Sequence, residues 1–171
     1  TLLAAQYLAS PESRRIGLIG AGVQARSHLA AFREHFPIDE VRVFSRTEQS
    51  AKQLADQINL PGGKVCVESD PTELLQNSDI VISTVPASKG LVPFLDPNHL
   101  SVPSFAGMVD CGRSWLLNEL PTSDWVVIDD REEDRHSYAP LITPSRVNQD
   151  MRELVLKGYP SREEAIRRLF I

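Results

Sequence analysis

Cysteine is scarce: Cys66 and Cys111 are the only two, and their spacing fits neither a zinc site nor a disulfide framework, so a reducing cytoplasm is the expected setting. Long apolar runs are missing too. None approaches the roughly 20 residues a membrane-spanning helix needs, and the opening residues carry no signal-peptide pattern. Nor is positive charge in excess. Lys and Arg number 18 against 23 Asp and Glu, and a formal net charge of -5 argues against a general affinity for nucleic acid or anionic membrane. Internal repeats and low-complexity tracts are likewise absent. What remains is an ordinary globular composition, 42% hydrophobic and 24% charged, in 171 residues that suit one domain. The chain opens on Thr1 without a methionine and stops within the apolar Leu169-Phe170-Ile171, which reads as a piece of a longer protein.

Short apolar runs alternate with segments of helical period, the pattern of a doubly wound parallel α/β sheet of Rossmann type. Ile16-Gly17-Leu18-Ile19 predicts the first strand. Ala21, Ala25, Leu29, Phe32 and Phe36 then form one stripe of a helix over 21–36, ended by Pro37. Val41 to Phe44 predicts the second strand. Thr47 can cap the next helix, whose inward face is Ala51, Leu54, Ala55 and Ile58. Lys64 to Val67 is a short third strand. Asp70-Pro71-Thr72-Glu73 starts a helix with an acceptor, a proline and a back-reaching glutamate. Ile80 to Val85, Phe105 to Val109 and Trp125 to Ile128 predict further strands, while 86–103 is proline-rich and without assignment. Helices are expected over 2–8, 149–157 and 161–169. The resulting plan is a single domain over 1–171, with a leading helical segment at 1–14, a core at 15–130 and a helical return segment at 131–171.

Gly20-Ala21-Gly22-Val23-Gln24-Ala25 lies where the first strand ends and the first amphipathic helix begins. Gly20 permits a tight turn, Gly22 lets backbone approach a pyrophosphate, and Ala25 lets helix and strand pack closely. The first helical N–H groups then face the phosphates with the helix dipole behind them. After the second strand, NAD-binding folds place a carboxylate for the ribose 2′-hydroxyl. Here Ser45-Arg46-Thr47 stands in its place. An arginine fork with two hydroxyls suits a 2′-phosphate, so NADP is expected over NAD. The alternative is a solvated Arg46, with NAD as the cofactor.

Ile19-Gly20-Ala21-Gly22-Val23-Gln24-Ala25, Ser27-His28, Glu40-Val41-Arg42-Val43 and Arg46-Thr47 together resemble the ornithine cyclodeaminase/mu-crystallin family, most clearly over 1–85. Asp129-Asp130-Arg131-Glu132, Glu153-Leu154-Val155, Lys157-Gly158 and Glu163-Glu164 fit it further along. The resemblance implies a dinucleotide domain joined to a second domain that forms a homodimer and supplies most substrate contacts, leaving this piece inactive alone. It also implies Val23 and Gln24 at the pyrophosphate, Ser45, Arg46 and Thr47 at the 2′-phosphate, and Thr84, Val85 and Pro86 on the nicotinamide side. The family commonly carries Asn-Ala-Val-Gly and then an acidic or polar residue after the fifth strand. This chain departs from that with Ala106-Gly107-Met108-Val109-Asp110.

Asp110, at the carboxyl edge of the sheet, is the candidate catalytic residue, set to hold a substrate ammonium or relay a proton. Its other reading is a strand-end aspartate capping the next turn. Cys111 is expected to be a buried structural thiol, His28 a packing or surface histidine, and Trp115 and Trp125 core or interface residues. Asp129, Asp130, Glu132, Glu133 and Asp134 alternate with Arg131 and Arg135, which predicts a solvated loop rather than a metal site. The expected activity is that of an NADP-dependent oxidoreductase working on the C–N bond of a small amino acid, imino acid or cyclic ketimine. Two alternatives stay open: a cyclodeaminase-type lyase with bound NAD(P), and a non-enzymatic protein that holds NADPH and a small ligand.

Overall fold

The sequence pattern of alternating strands and helices becomes one parallel sheet in the computed structural model, which describes residues 1–136, 142–159 and 166–171. The elements run α1 (Leu2–Leu8), β1 (Arg15–Ile19), α2 (Val23–Arg33), β2 (Glu40–Phe44), α3 (Glu48–Ala55), β3 (Lys64–Val67) and α4 (Pro71–Gln76). They continue with β4 (Ile80–Ser83), β5 (Ser104–Met108), β6 (Trp125–Ile128), α5 (Arg131–His136), β7 (Gln149–Asp150), α6 (Met151–Lys157) and β8 (Arg167–Phe170). The eight strands are ordered β3-β2-β1-β4-β5-β8-β6-β7. The order reverses between β1 and β4, the switch point beside which ligands bind in open sheets of this kind.

Strand side chains divide by alternation between two cores, one on each face. Ile80 and Ile82 join a cluster with Ala25, Leu29 and Phe32 of α2 and Leu54 of α3, while Val81 joins Leu74 and Leu75 of α4. Phe105 and Val127 likewise face the first cluster, and Ala106, Val126 and Ile128 the second. Strands apolar on both faces are what a sheet covered by crossover helices requires. The fold is therefore doubly wound, of Rossmann type.

Several sequence expectations need correction. Helix α2 runs over Val23–Arg33, shorter at both ends than the expected 21–36, because Gly20 to Gly22 turn before it and Phe36 packs from beyond its end. The acidic stretch after β6 is not a loop. Asp130 Oδ1 accepts from the backbone N–H groups of Glu132 (2.6 Å) and Glu133 (3.1 Å) and caps α5. Arg131 binds the carbonyl groups of Val147 and Asn148, which ties α5 to the segment before β7. The helix expected over 149–157 begins at Met151, since Gln149 and Asp150 pair with β6. A helix over 161–169 is excluded at its carboxyl end, where Arg167–Phe170 form β8 between β5 and β6; residues 161–165 lie outside the described residues. The return segment thus completes the sheet. Among the described residues, no helix is long and apolar enough to cross a membrane.

Candidate functional site

Strand register sets the level of the site. Ile19 stands opposite both Phe44 of β2 and Ser83 of β4, and Ser83 stands opposite Met108 of β5. The next residues, Gly20, Ser45, Thr84 and Val109, therefore form one row along the carboxyl edge. Residues drawn from four separate stretches of sequence meet there.

The glycine turn is locked from both sides. Gly20 has φ +103°, its N–H donates to the Phe44 carbonyl at 2.8 Å, and a Cβ on it would lie 2.7 Å from Thr84 Oγ1. Thr84 in turn donates its N–H and its hydroxyl to the Ile19 carbonyl, at 2.8 and 3.2 Å. Gly22 differs: its φ is -86°, and a Cβ there would meet nothing within 4 Å. Gly22 is also the N-cap of the eleven-residue α2, with no side-chain cap bond. The other helices after it are capped, by Thr47, Asp70, Asp130 and Asp150. So the amino end of α2 has no side-chain cap and is open around Gly22, which suits an anion. Val23 is 77% exposed and Gln24 is exposed, whereas Ala25 is fully buried against the sheet.

At the end of β2, Ser45 is half-buried and Arg46 exposed, and Arg46 makes no hydrogen bond or ion pair with any described residue. Thr47 is occupied: its Oγ1 accepts from Ser50 N–H at 3.3 Å and lies 2.7 Å from Ser50 Oγ, capping α3. At the end of β4, Thr84 and Val85 are half-buried and Pro86 is exposed. Phe94, from the loop after β4, packs on Phe44 with ring centroids 6.1 Å apart.

Asp110 is 5% exposed. Its Oδ1 accepts from Ser83 Oγ at 2.9 Å and its Oδ2 from Ser114 Oγ. Ser83 Oγ accepts in turn from Trp115 Nε1 at 2.9 Å. Asp110 also closes a turn: its carbonyl accepts from Arg113 N–H at 3.3 Å, with Cys111 and Gly112 at φ 55° and 68° between them. Positive φ at both central residues is the signature of a type I′ turn. Sequence reasoning did not single out Ser83 or Ser114, and it placed Trp115 in the core without its polar bond. Cys111 is half-buried rather than buried. His28 is a helix-surface histidine, with Nδ1 2.8 Å from the Gln24 carbonyl.

A model of the ornithine cyclodeaminase/mu-crystallin family matches residues 2–107. The chain is 34% identical over 95% of its length to the ketimine reductase mu-crystallin of Macropus fuliginosus, of which it covers 51%. It is 29% identical over 72% of its length to the ornithine cyclodeaminase of Agrobacterium tumefaciens, covering 38% of that protein. In fold it resembles the Thermococcus litoralis Delta(1)-pyrroline-2-carboxylate reductase, solved with NADH and L-proline. That match has a TM-score of 0.76 and 23% identity over 99% of this chain and 56% of the other. The chain thus spans about half the length of the curated relatives it matches. With the glycine turn, the strand order and a family model over residues 2–107 in agreement, the chain belongs to the ornithine cyclodeaminase/mu-crystallin family.

Proposed function

We propose that the chain is the dinucleotide-binding part of an NADP-dependent oxidoreductase acting on the C–N bond of a small amino acid, imino acid or cyclic ketimine. The observation that carries this reading is the turn at Gly20 and Gly22, where the uncapped α2 opens onto space that a Cβ would otherwise enter. A pyrophosphate fits there, held by the backbone of Gly22, Val23 and Gln24, while Gly20 and Ala25 keep turn and helix close to the sheet. Arg46, with no partner among the described residues, takes the 2′-phosphate together with Ser45, and Thr47 orients the turn through its cap. Thr84, Val85 and Pro86 border the nicotinamide, with Thr84 fixed by Ile19. The cofactor supplies or accepts the hydride; the chain binds and orients it. Of the two readings of Asp110, the hydroxyl bonds to both of its oxygens support the anchor of the 110–113 turn over direct contact with substrate.

Fluorescence titration of NADPH and NADH tests the assignment. Arg46→Ala is expected to weaken NADPH binding by about ten- to a hundredfold, because a charge-assisted bond contributes about 1.5–3 kcal/mol, and to leave NADH nearly unchanged. Equal losses for both cofactors would remove the NADP assignment in favour of NAD. The match to an ornithine cyclodeaminase favours a second reading, a lyase that oxidises and re-reduces within one turnover. Ammonia release from ornithine by the full-length protein, without net consumption of NADPH, would select it.

A further inference from the structure

The amino edge of the sheet, opposite the glycine turn, carries a polar recess of its own, and strand register builds it. Ile16 stands opposite Ile80, Ile80 opposite Phe105, and Ser104 opposite Arg167. Arg15, Asp79, Ser104 and Arg167 therefore form one row where β1, β4, β5 and β8 begin. Arg167 is spent on the carbonyl groups of Asn98 and Leu100. The other three, with Arg168 and with Ser10 and Ser13 from the loop before β1, line a cavity of about 210 Å³. Sites for drug-sized molecules begin at about 300 Å³, so this one suits a small ion.

Donors outnumber acceptors on this lining. Asp79 is used up: its Oδ2 accepts from the N–H groups of Arg14 and Arg15, both at 2.9 Å, and its Oδ1 from Arg15 Nε at 3.1 Å and Nη2 at 2.5 Å. Arg15 keeps Nη1 in reserve, with no bond from it to a described residue. Ser104 is 4% exposed, and its hydroxyl is buried with no hydrogen-bond partner among the described residues. Ser13 is buried too; its N–H donates to the Ser10 carbonyl at 3.0 Å and its hydroxyl is left unspent. Arg168, over the Tyr159 ring, adds a second guanidinium. The one other carboxylate on the lining, Glu12, is exposed, where water and salt screen it. A buried hydroxyl without a partner is costly, so its presence calls for something to bind. We infer that this recess binds a small oxyanion of the phosphate kind, with Ser104 and Ser13 donating their hydroxyl protons and Arg15 and Arg168 supplying the charge. Donors from three separate strands suit an ion with acceptors on every side. The bound ion ties β1, β5 and β8 together. The five residues of β1 span about 16 Å between this edge and the glycine turn, so the ion and a dinucleotide do not compete, and the inference does not depend on the cofactor reading.

The test is calorimetric titration of inorganic phosphate into the full-length protein, paired with thermal melts, and with sodium chloride at equal ionic strength as the control. Phosphate should bind saturably in the millimolar range or tighter and raise Tm, whereas chloride should not. Ser104→Ala should weaken phosphate about tenfold, and Ser13→Ala added to it should weaken it further, because each removes a hydrogen bond to a charged group. In chloride alone, Ser104→Ala should melt at or above the temperature of the unaltered protein, since the hydroxyl it removes is unpartnered. Arg46→Ala, at the opposite edge, should bind phosphate as the unaltered protein does. Absence of saturable phosphate binding would overturn the inference, and so would an affinity unchanged by Ser104→Ala. An equal loss in Arg46→Ala would overturn it as well, by placing the ion at the cofactor edge. A Ser104→Ala protein that melts earlier in chloride would show that the hydroxyl already has a partner, which removes the vacancy on which the inference rests.

Discussion

Gly20 and Gly22 stand two residues apart, yet alanine at each should do opposite things. At Gly20 the backbone has φ +103°, a region that side chains with a Cβ rarely adopt, and the strain is about 1–2 kcal/mol. The new methyl would also stand 2.7 Å from Thr84 Oγ1 and 3.2 Å from the Thr84 carbonyl oxygen. The hydroxyl can rotate away, at the loss of its bond to Ile19 and about 0.5–1.5 kcal/mol. The carbonyl is backbone and can yield only by shifting the chain at the end of β4. Together these give a destabilisation of about 2–3 kcal/mol, or a fall of about 5–10 °C in Tm for a protein of this size. At Gly22 the backbone is ordinary and the space around a Cβ is empty. Alanine there loses only the N-cap preference for glycine, about 1 kcal/mol or less, but its methyl enters the space assigned to the pyrophosphate. Thermal melts followed by circular dichroism, paired with NADPH fluorescence titration, separate the two. Gly20→Ala should melt early, whereas Gly22→Ala should melt near the unaltered protein and bind NADPH more than about tenfold less well. A Gly20→Ala protein melting within about 2 °C of the unaltered one would refute the steric argument. Full affinity in Gly22→Ala would refute the placement of the phosphates.

Three further outcomes are expected. Ser83→Ala removes the acceptor of Trp115 Nε1 and the donor to Asp110 Oδ1, two buried groups, so denaturant titration should show a loss of about 2–4 kcal/mol; a loss under about 1 kcal/mol would mean that the groups find other partners. Burial alone would raise the pKa of Asp79, but hydrogen bonds from the Arg15 guanidinium and from the N–H groups of Arg14 and Arg15 outweigh it and hold the carboxyl below its ordinary range. A lowered folded pKa contributes stability above the unfolded value and loses it as pH falls through the folded value, so Tm should decline below about pH 4, and Asp79→Asn should flatten that decline; identical acid profiles for the two proteins would contradict the linkage. Leu169→Ala should cost about 2–5 kcal/mol in chemical denaturation, since Leu169 is fully buried in the middle of the sheet, and a surface-like cost under about 0.5 kcal/mol would contradict the position of β8.

What could be seen in the sequence was whatever is encoded locally. The stripe of Ala25, Leu29 and Phe32 marks α2, and Asp70-Pro71 marks the start of α4, because a helix reports on neighbours three and four residues away. β8 has no such local mark. Arg167 and Arg168 look like the exposed face of a helix, and only distant partners make them strand residues. Arg167 reaches the carbonyl groups of Asn98 and Leu100 and pairs with Asp124 at 3.5 Å. Arg168 lies over the Tyr159 ring, 4.9 Å from its centroid. Strand preference is decided by such neighbours more than by the residue itself. The charged run at 129–134 misled for a related reason: alternating charges suit a solvated loop, but Asp130 is also a cap and Arg131 a tie to the chain 16 and 17 residues on.

The candidate site divides along the same line. The glycine turn is a short continuous stretch between a strand and a helix, so its residues and their spacing carry the geometry. The Ser83–Asp110–Ser114–Trp115 network has no spacing to read, because Ser83 lies 27 residues from Asp110 and 32 from Trp115. It exists because β4 and β5 end in register, which brings Ser83 opposite Met108 and lets the turn after β5 fold back over both strand ends. The same register places Lys89 and Arg113 on one recess, although 24 residues of chain separate them. Each cation alone is an unremarkable loop residue in the sequence. Their shared position depends on the sheet. In a doubly wound fold a glycine turn between strand and helix is therefore the part that a sequence states outright, while contacts between strand ends emerge only once the strands are aligned.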